Sequence, residues 1–89
     1  MKKFGLVQWY SMLAVRDLGW EWHRETFLAE ARREALLNDF TPPPPHAEPQ
    51  CSYWRWSRKD GMHEVEEPDA QYVQVMLRWG EQAGGDRGD

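Results

Sequence analysis

The densest chemistry in the chain lies in Tyr53–Lys59, YWRWSRK, which interleaves aromatic rings with cations. Rings beside cations are a common way to hold single-stranded nucleic acid. On a strand, Trp54 and Trp56 share one face and Arg55 takes the other. The plainer reading packs the Trp face on helices and turns the Arg face to water. Charge favours the plainer reading. The net charge is −4, with acidic residues spread along the chain, whereas general DNA or RNA binding needs a basic surface. Binding of nucleic acid through Trp54, Arg55, Trp56, Arg58 and Lys59 therefore stands as the alternative.

A second constellation is acidic. Glu64, Glu66, Glu67 and Asp69 crowd the end of the same segment. Such a cluster is most often a solvated edge, but it also presents negative charge to a basic partner. Trp20 and Trp22 form another Trp-x-Trp pair. On a helix they diverge by about 200°, so one faces inward and the other stays near the surface. Trp20 is expected inside and Trp22 at the edge. Trp22, Glu64, Glu66, Glu67 and Asp69 are thus the expected partner-binding residues: an aromatic anchor beside an acidic rim.

The remaining reactive types do not assemble. His23, His46, Cys51 and His63 are the only soft metal-ligand types, and no pair has zinc-site spacing. Cys51 with one histidine lacks the third orienting group of a nucleophilic site. It is the lone cysteine, so no intrachain disulfide is expected, which fits a reducing compartment. No phosphate-binding glycine loop is present: the late glycines lack a strand-then-helix context. No catalytic residue, cofactor or metal is assigned. The start, Met1-Lys2-Lys3, has the charge of a secretory leader, but Gln8, Ser11 and Arg16 interrupt the apolar run behind it. No stretch approaches the ~20 apolar residues of a membrane span. A cytoplasmic protein is expected.

These residues need elements to position them. With 89 residues, a single domain is expected over residues 1–83, with a flexible tail over 84–89. A chain this short buries only ~60–65% of its unfolded surface. Six tryptophans compensate, and about four of them are expected in the core. The organising segment is Trp20–Phe40, WEWHRETFLAEARREALLNDF, dense in good helix formers. Leu28, Ala31 and Ala35 form its apolar stripe, Phe27 and Trp20 sit beside it, and Leu36 borders the other edge. Asn38, Asp39 and the Thr41-Pro42 pair end it.

Phe4–Leu18 reads as a further helix through Leu6, Trp9, Tyr10 and Leu13, with Gly19 as its C-terminal cap. A strand is its rival, weakened by the adjacent pairs Leu6-Val7 and Trp9-Tyr10. TPPPPHAEPQ (41–50) reads as a stiff polyproline II crossover. Its P-x-x-P spacing could also serve a proline-reading domain, but any four consecutive prolines satisfy that pattern. Ser52–Glu67 reads as a hairpin turning at Asp60-Gly61, with Trp56 opposite Val65 and Arg55 opposite Glu66. A longer loop over Arg58–Gly61 would shift that register. Pro68–Ala83 reads as a helix, on its Pro-Asp start and a polar stripe of Gln71, Gln74, Arg78 and Glu81; a strand is the rival, through the alternation of Val73, Val75, Leu77 and Trp79.

The sum is an α+β domain: one or two N-terminal helices, a proline-rich crossover, a Trp-rich hairpin and a C-terminal helix round one aromatic core. Its expected function is a small acidic, non-enzymatic protein-binding module that occupies a basic surface of a partner. Phage and mobile-element accessory inhibitors, anti-CRISPR proteins among them, share this size and charge, though no motif connects the chain to them. A nucleic-acid-binding accessory protein and a small assembly or structural subunit are the alternatives.

Overall fold

The computed structural model describes residues 2–80. It is an α+β fold in two layers: helices on one side and a four-stranded antiparallel sheet on the other. The first strand, β1, runs Lys3–Ser11. Helix α1 follows at Met12–Leu18, and the long α2 at Trp20–Leu37. Then come β2 (Gln50–Ser57), β3 (Gly61–Glu64), a single 3-10 turn at Glu67–Asp69, and β4 (Tyr72–Gly80). The sheet order is β1-β4-β2-β3, so the last of these strands lies between the first two.

Two expected helices are corrected. Residues 4–11 of the expected N-terminal helix are strand, and only Met12–Leu18 is helical. The expected C-terminal helix is β4. In β4, Val73, Val75, Leu77 and Trp79 are all buried, which is the alternation of a strand. Once that period holds, the polar stripe dissolves: Gln74 and Arg78 fall among the residues of the other face. In β1 the even positions Phe4, Leu6 and Tyr10 pack on the core, and Gly5, Val7 and Trp9 point away from it. The adjacent apolar pairs that argued against a strand are one residue for each face.

Helix α2 supplies Phe27, Leu28, Ala31 and Ala35 to the core, all at most 3% exposed. Leu36, expected to border the stripe, lies out in solvent. The helix ends through Asp39, which adopts a left-handed backbone at φ 54°. The Phe40 N–H then donates to the Ala35 carbonyl at 2.8 Å, and the Phe40 ring turns into the core. There it stacks on Phe4 at 5.3 Å, with Trp79 tilted against Phe4 at 5.4 Å. The Trp79 indole N–H donates to the Thr41 carbonyl at 2.7 Å, so this buried indole is satisfied.

The proline segment is not a straight rod. Ala47 N–H donates to the Pro44 carbonyl at 3.0 Å, closing a turn that bends the chain at Pro45-His46. Beyond that turn, Arg24 of α2 holds Glu48 at 3.1 Å and reaches the Ala47 carbonyl at 3.3 Å.

The hairpin exists with a shifted register. Arg58–Asp60 form a three-residue turn, Gly61 at φ 68° opens β3, and Ser57 pairs with Gly61. Trp56 lies opposite Met62, not Val65, and Arg55 opposite His63, not Glu66. Gly61 reaches its left-handed conformation without strain, which lets the longer turn replace the two-residue one. The slip is odd in number, so Val65 no longer shares a face with Trp54 and Trp56: it stays on the core side, where its N–H donates to the Tyr53 carbonyl at 2.9 Å, and they turn to the other.

Of the tryptophans, Trp79 alone is buried; Trp20 packs partly against the core. Trp9, Trp22 and Trp56 are 46–55% exposed, so the expectation of four core tryptophans fails. The expected tail, residues 84–89, lies outside the described residues. No helix among the described residues is long and apolar enough to cross a membrane.

Candidate binding face

Both helices pack on the same side of the sheet, and no described element covers the other side. The register shows which residues meet there. Val7 pairs with Met76 and Trp9 with Gln74 on one flank of β4. On the other flank, Gln50 pairs with Met76, Ser52 with Gln74 and Trp54 with Tyr72. Trp54 and Trp56 in turn lie opposite Glu64 and Met62. Residues directly opposite in an antiparallel ladder share a face. The open side therefore gathers Trp9, Trp54, Trp56 and Tyr72 with Val7, Met62 and Met76. Val7, Trp9, Trp56, Met62 and Tyr72 are each more than a third exposed.

This reverses the plainer reading of YWRWSRK. Trp54 and Trp56 face solvent, while Cys51 and Tyr53 pack toward the helices. Arg55 alternates to that helical side and donates to the Asp69 carbonyl at 3.0 Å. Arg58 and Lys59 sit in the turn at one end of the hairpin. The five residues of the nucleic-acid set thus divide between two faces and a turn.

The open face is held in place by polar contacts beneath its rings. The Trp54 indole N–H donates to Ser52 Oγ at 2.9 Å, and Ser52 Oγ donates to Gln74 Oε1 at 3.3 Å. Trp9 meets the Trp54 ring edge-on at 5.8 Å between centroids. Gln71 ties the next residue: its N–H donates to the Trp54 carbonyl at 2.8 Å, and its Oε1 accepts from Trp56 N–H at 3.0 Å. Rings fixed before a partner arrives lose less rotational freedom on binding.

The acidic residues are brought together in part. Glu64 shares the open face with Trp54. Glu64, Val65, Glu66 and Asp69 line an open depression of about 540 Å³ at the β3 edge. Glu67 is drawn aside toward α1, where Arg16 lies 3.9 Å from its carboxylate and donates to its carbonyl at 3.2 Å. Trp22 is on the helical layer, away from these acids. Its ring meets His23 at 5.0 Å, and His23 meets Tyr10 of β1 at 5.0 Å, which places it toward the β1 side of the molecule. Trp20 turns the other way, sharing a cavity of about 260 Å³ with Tyr53 and Glu67. The expected partner-binding set is therefore two separate places.

Trp9, Tyr72, Val7, Met62 and Met76 were missed as site residues. For those on β1 and β4 the signal was the apolar residue next to an inward one, repeated along each strand; Met62, between Gly61 and His63, carried none.

Cys51, on the helical side of β2, is half buried, and burial raises its thiol pKa, with Glu48 adding to the effect. Burial likewise raises Tyr10 and Tyr53, helped by Glu30 at Tyr10 and by Cys51 and Glu67 at Tyr53. Each shift favours the neutral form, the reverse of what activates a nucleophile. Among the described residues, no group of three His, Cys, Asp or Glu gathers to hold a metal ion.

No family model, curated protein or solved structure matches the chain.

Proposed function

We propose that this chain is a non-enzymatic protein-binding module and that the open face of its sheet is the contact surface. The observation that carries the reading is the uncovered cluster of Trp9, Trp54, Trp56 and Tyr72, set among Val7, Met62 and Met76. Trp, Tyr and Met are the residues enriched at interface cores, while charged residues are depleted there. Glu64 and its neighbours Glu66 and Asp69 form an acidic rim at the β3 edge, suited to a basic margin on the partner. The role this size and charge suit is that of an accessory inhibitor of a larger complex, which would use such a surface.

Single-stranded nucleic acid is the competing occupant, since exposed rings on a four-stranded sheet can also stack bases. The charges favour protein. Arg55 points to the other side, and the acidic Glu64 stands beside Trp54.

Affinity capture from the host lysate with wild-type and variant baits tests the reading. Trp56→Ala and Trp9→Ala should each lose the captured partner, by about 2 kcal/mol or more per ring, with melting temperatures close to wild type. Glu64→Lys should slow association in surface plasmon resonance against that partner and reduce its salt dependence. Trp22→Ala, on the other layer, should bind as wild type. Loss of binding in Trp22→Ala alone would move the site to the helical layer. Retention of single-stranded DNA at low salt, released as salt rises, would replace the protein reading with the nucleic-acid one.

A further inference from the structure

The two edges of the sheet are unlike. At one edge, β3 has four residues and ends at Glu64. Shortness and charge are the usual devices that keep a sheet edge from pairing with another chain. At the other edge, β1 has nine residues, KFGLVQWYS, with one charge and no proline. Its pairing with β4 runs unbroken from Lys3–Gly80 to Ser11–Tyr72, with no bulge to twist it away. Among the described residues, β1 has a ladder partner on one side only. A long, regular, nearly uncharged edge offers a row of free backbone donors and acceptors to another strand.

We infer that β1 pairs with β1 of a second copy of this chain, antiparallel about a twofold axis at Val7, joining two sheets into one of eight strands. The strand suits itself in that register. Val7 meets Val7 across the axis. Phe4 lies opposite Tyr10 of the second copy on the core side, and Lys3 opposite its Ser11, so no like charges face each other. Gly5 lies opposite Trp9 of the second copy on the open side. Gly5 carries no side chain, so it places no bulk against the backbone of the second copy at Trp9, whose ring stays leaned on its own Trp54.

The pairing also enlarges the open face. As a flat rectangle of about 15 Å by 30 Å, one face offers roughly 450 Å², against about 800 Å² per partner in a standard interface. Joining two edges places both faces on the same side of one continuous sheet. This inference stands apart from the proposed function, since the edge pairs whether or not the face binds a partner.

Sedimentation velocity of the full chain over a range of concentrations tests it, with Val7→Lys and Val7→Glu as variants. Val7 is 47% exposed, so neither change enters the core. The wild type should form a reversible dimer. Each variant alone sets like charges directly opposite and should raise the dissociation constant by about tenfold or more. An equimolar mixture of the two should restore a heterodimer. Trp56→Ala, two strands away, should dimerise as wild type. In the wild type, alternate backbone amides of β1 should exchange slowly at high concentration and quickly on dilution. A wild type that stays monomeric overturns the inference, as does a dimer indifferent to both Val7 variants. Loss of the dimer in Trp56→Ala to the same degree as in Val7→Lys would show face-to-face packing instead and also overturn it.

Discussion

Gly19 joins α1 to α2 at φ 94° and ψ 150°, a region that only glycine enters without strain. An added Cβ would meet no atom within 4 Å, so the obstacle is the backbone and not the packing. Gly19→Ala should lower stability by about 1–3 kcal/mol in urea denaturation, with the sheet's spectroscopic signature intact. Cys51 makes a different prediction. Burial lifts its thiol above the ordinary range, so alkylation should be slow near neutral pH and should not alter partner binding. Cys51, Tyr10 and Tyr53 are all shifted upward in the fold. A raised pKa means the folded state holds its proton longer than the unfolded chain. The associated stability is complete at neutral pH and declines as pH rises past about 8.5, where an unfolded thiol ionises. Denaturation midpoints measured from neutral to alkaline pH should fall in that direction, and Cys51→Ala should remove the earliest part of the decline.

At the scale of elements, α2 was legible from its residues. Phe27, Leu28, Ala31 and Ala35 recur at helical spacing, and Asn38 and Asp39 mark the stop. Leu28→Ala should cost about 2–5 kcal/mol, because Leu28 is buried in the core cluster. A variant that melts like wild type would place the helix elsewhere. In sequence, β1 and β4 read as helices, with a strand as the rival in each case, and the reason is physical. Strand alternation is seen when the outward face is polar. In β1 the outward residues include Val7 and Trp9, and in β4 they include Tyr72 and Met76, so both sides look apolar. The residues that make the candidate face are the same ones that hid the strands. The hairpin was legible as an element but not in register, since Asp60-Gly61 serves a two-residue turn and a three-residue turn alike. Of the residues at the candidate face and its rim, the sequence points to Trp54 and Trp56 only for nucleic acid and to Glu64, Glu66 and Asp69 for a protein partner, with the Trp side of the hairpin expected against the helices.

Across the whole molecule, charge and aromatic surface are segregated. The acids of α2, Glu21, Glu25, Glu30 and Glu34, belong to the helical layer, several of them engaged by Arg24 and Arg33. The open sheet face is nearly uncharged between Arg78 at one end and Glu64 at the other. Within α2 the four acids are largely offset by Arg24, Arg32 and Arg33, so the helix contributes little of the chain's net charge of −4, and Glu64, Glu66, Glu67 and Asp69 at the β3 edge contribute more. The acidic composition argued for a basic partner, while the geometry selects a mostly apolar contact with an acidic rim. The Trp56 and Trp9 variants probe the apolar contact, and the Glu64 variant probes the rim.

The position of β4 between β1 and β2 governs the order in which the fold can assemble. β1 is made first and has no ladder partner until β4 is complete: Lys3 waits for Gly80 and Ser11 for Tyr72. Only the β2–β3 hairpin and the helices can form from neighbours in sequence. Until β4 arrives, β1 and the hairpin are separate pieces, each with its aromatic residues on both faces unprotected. Closing such a long loop before any contact repays it makes folding slow for a chain of this length. During synthesis, the interval between Ser11 and Gly80 is the time for which β1 is a free, nearly uncharged strand, and another nascent copy offers it the same residues.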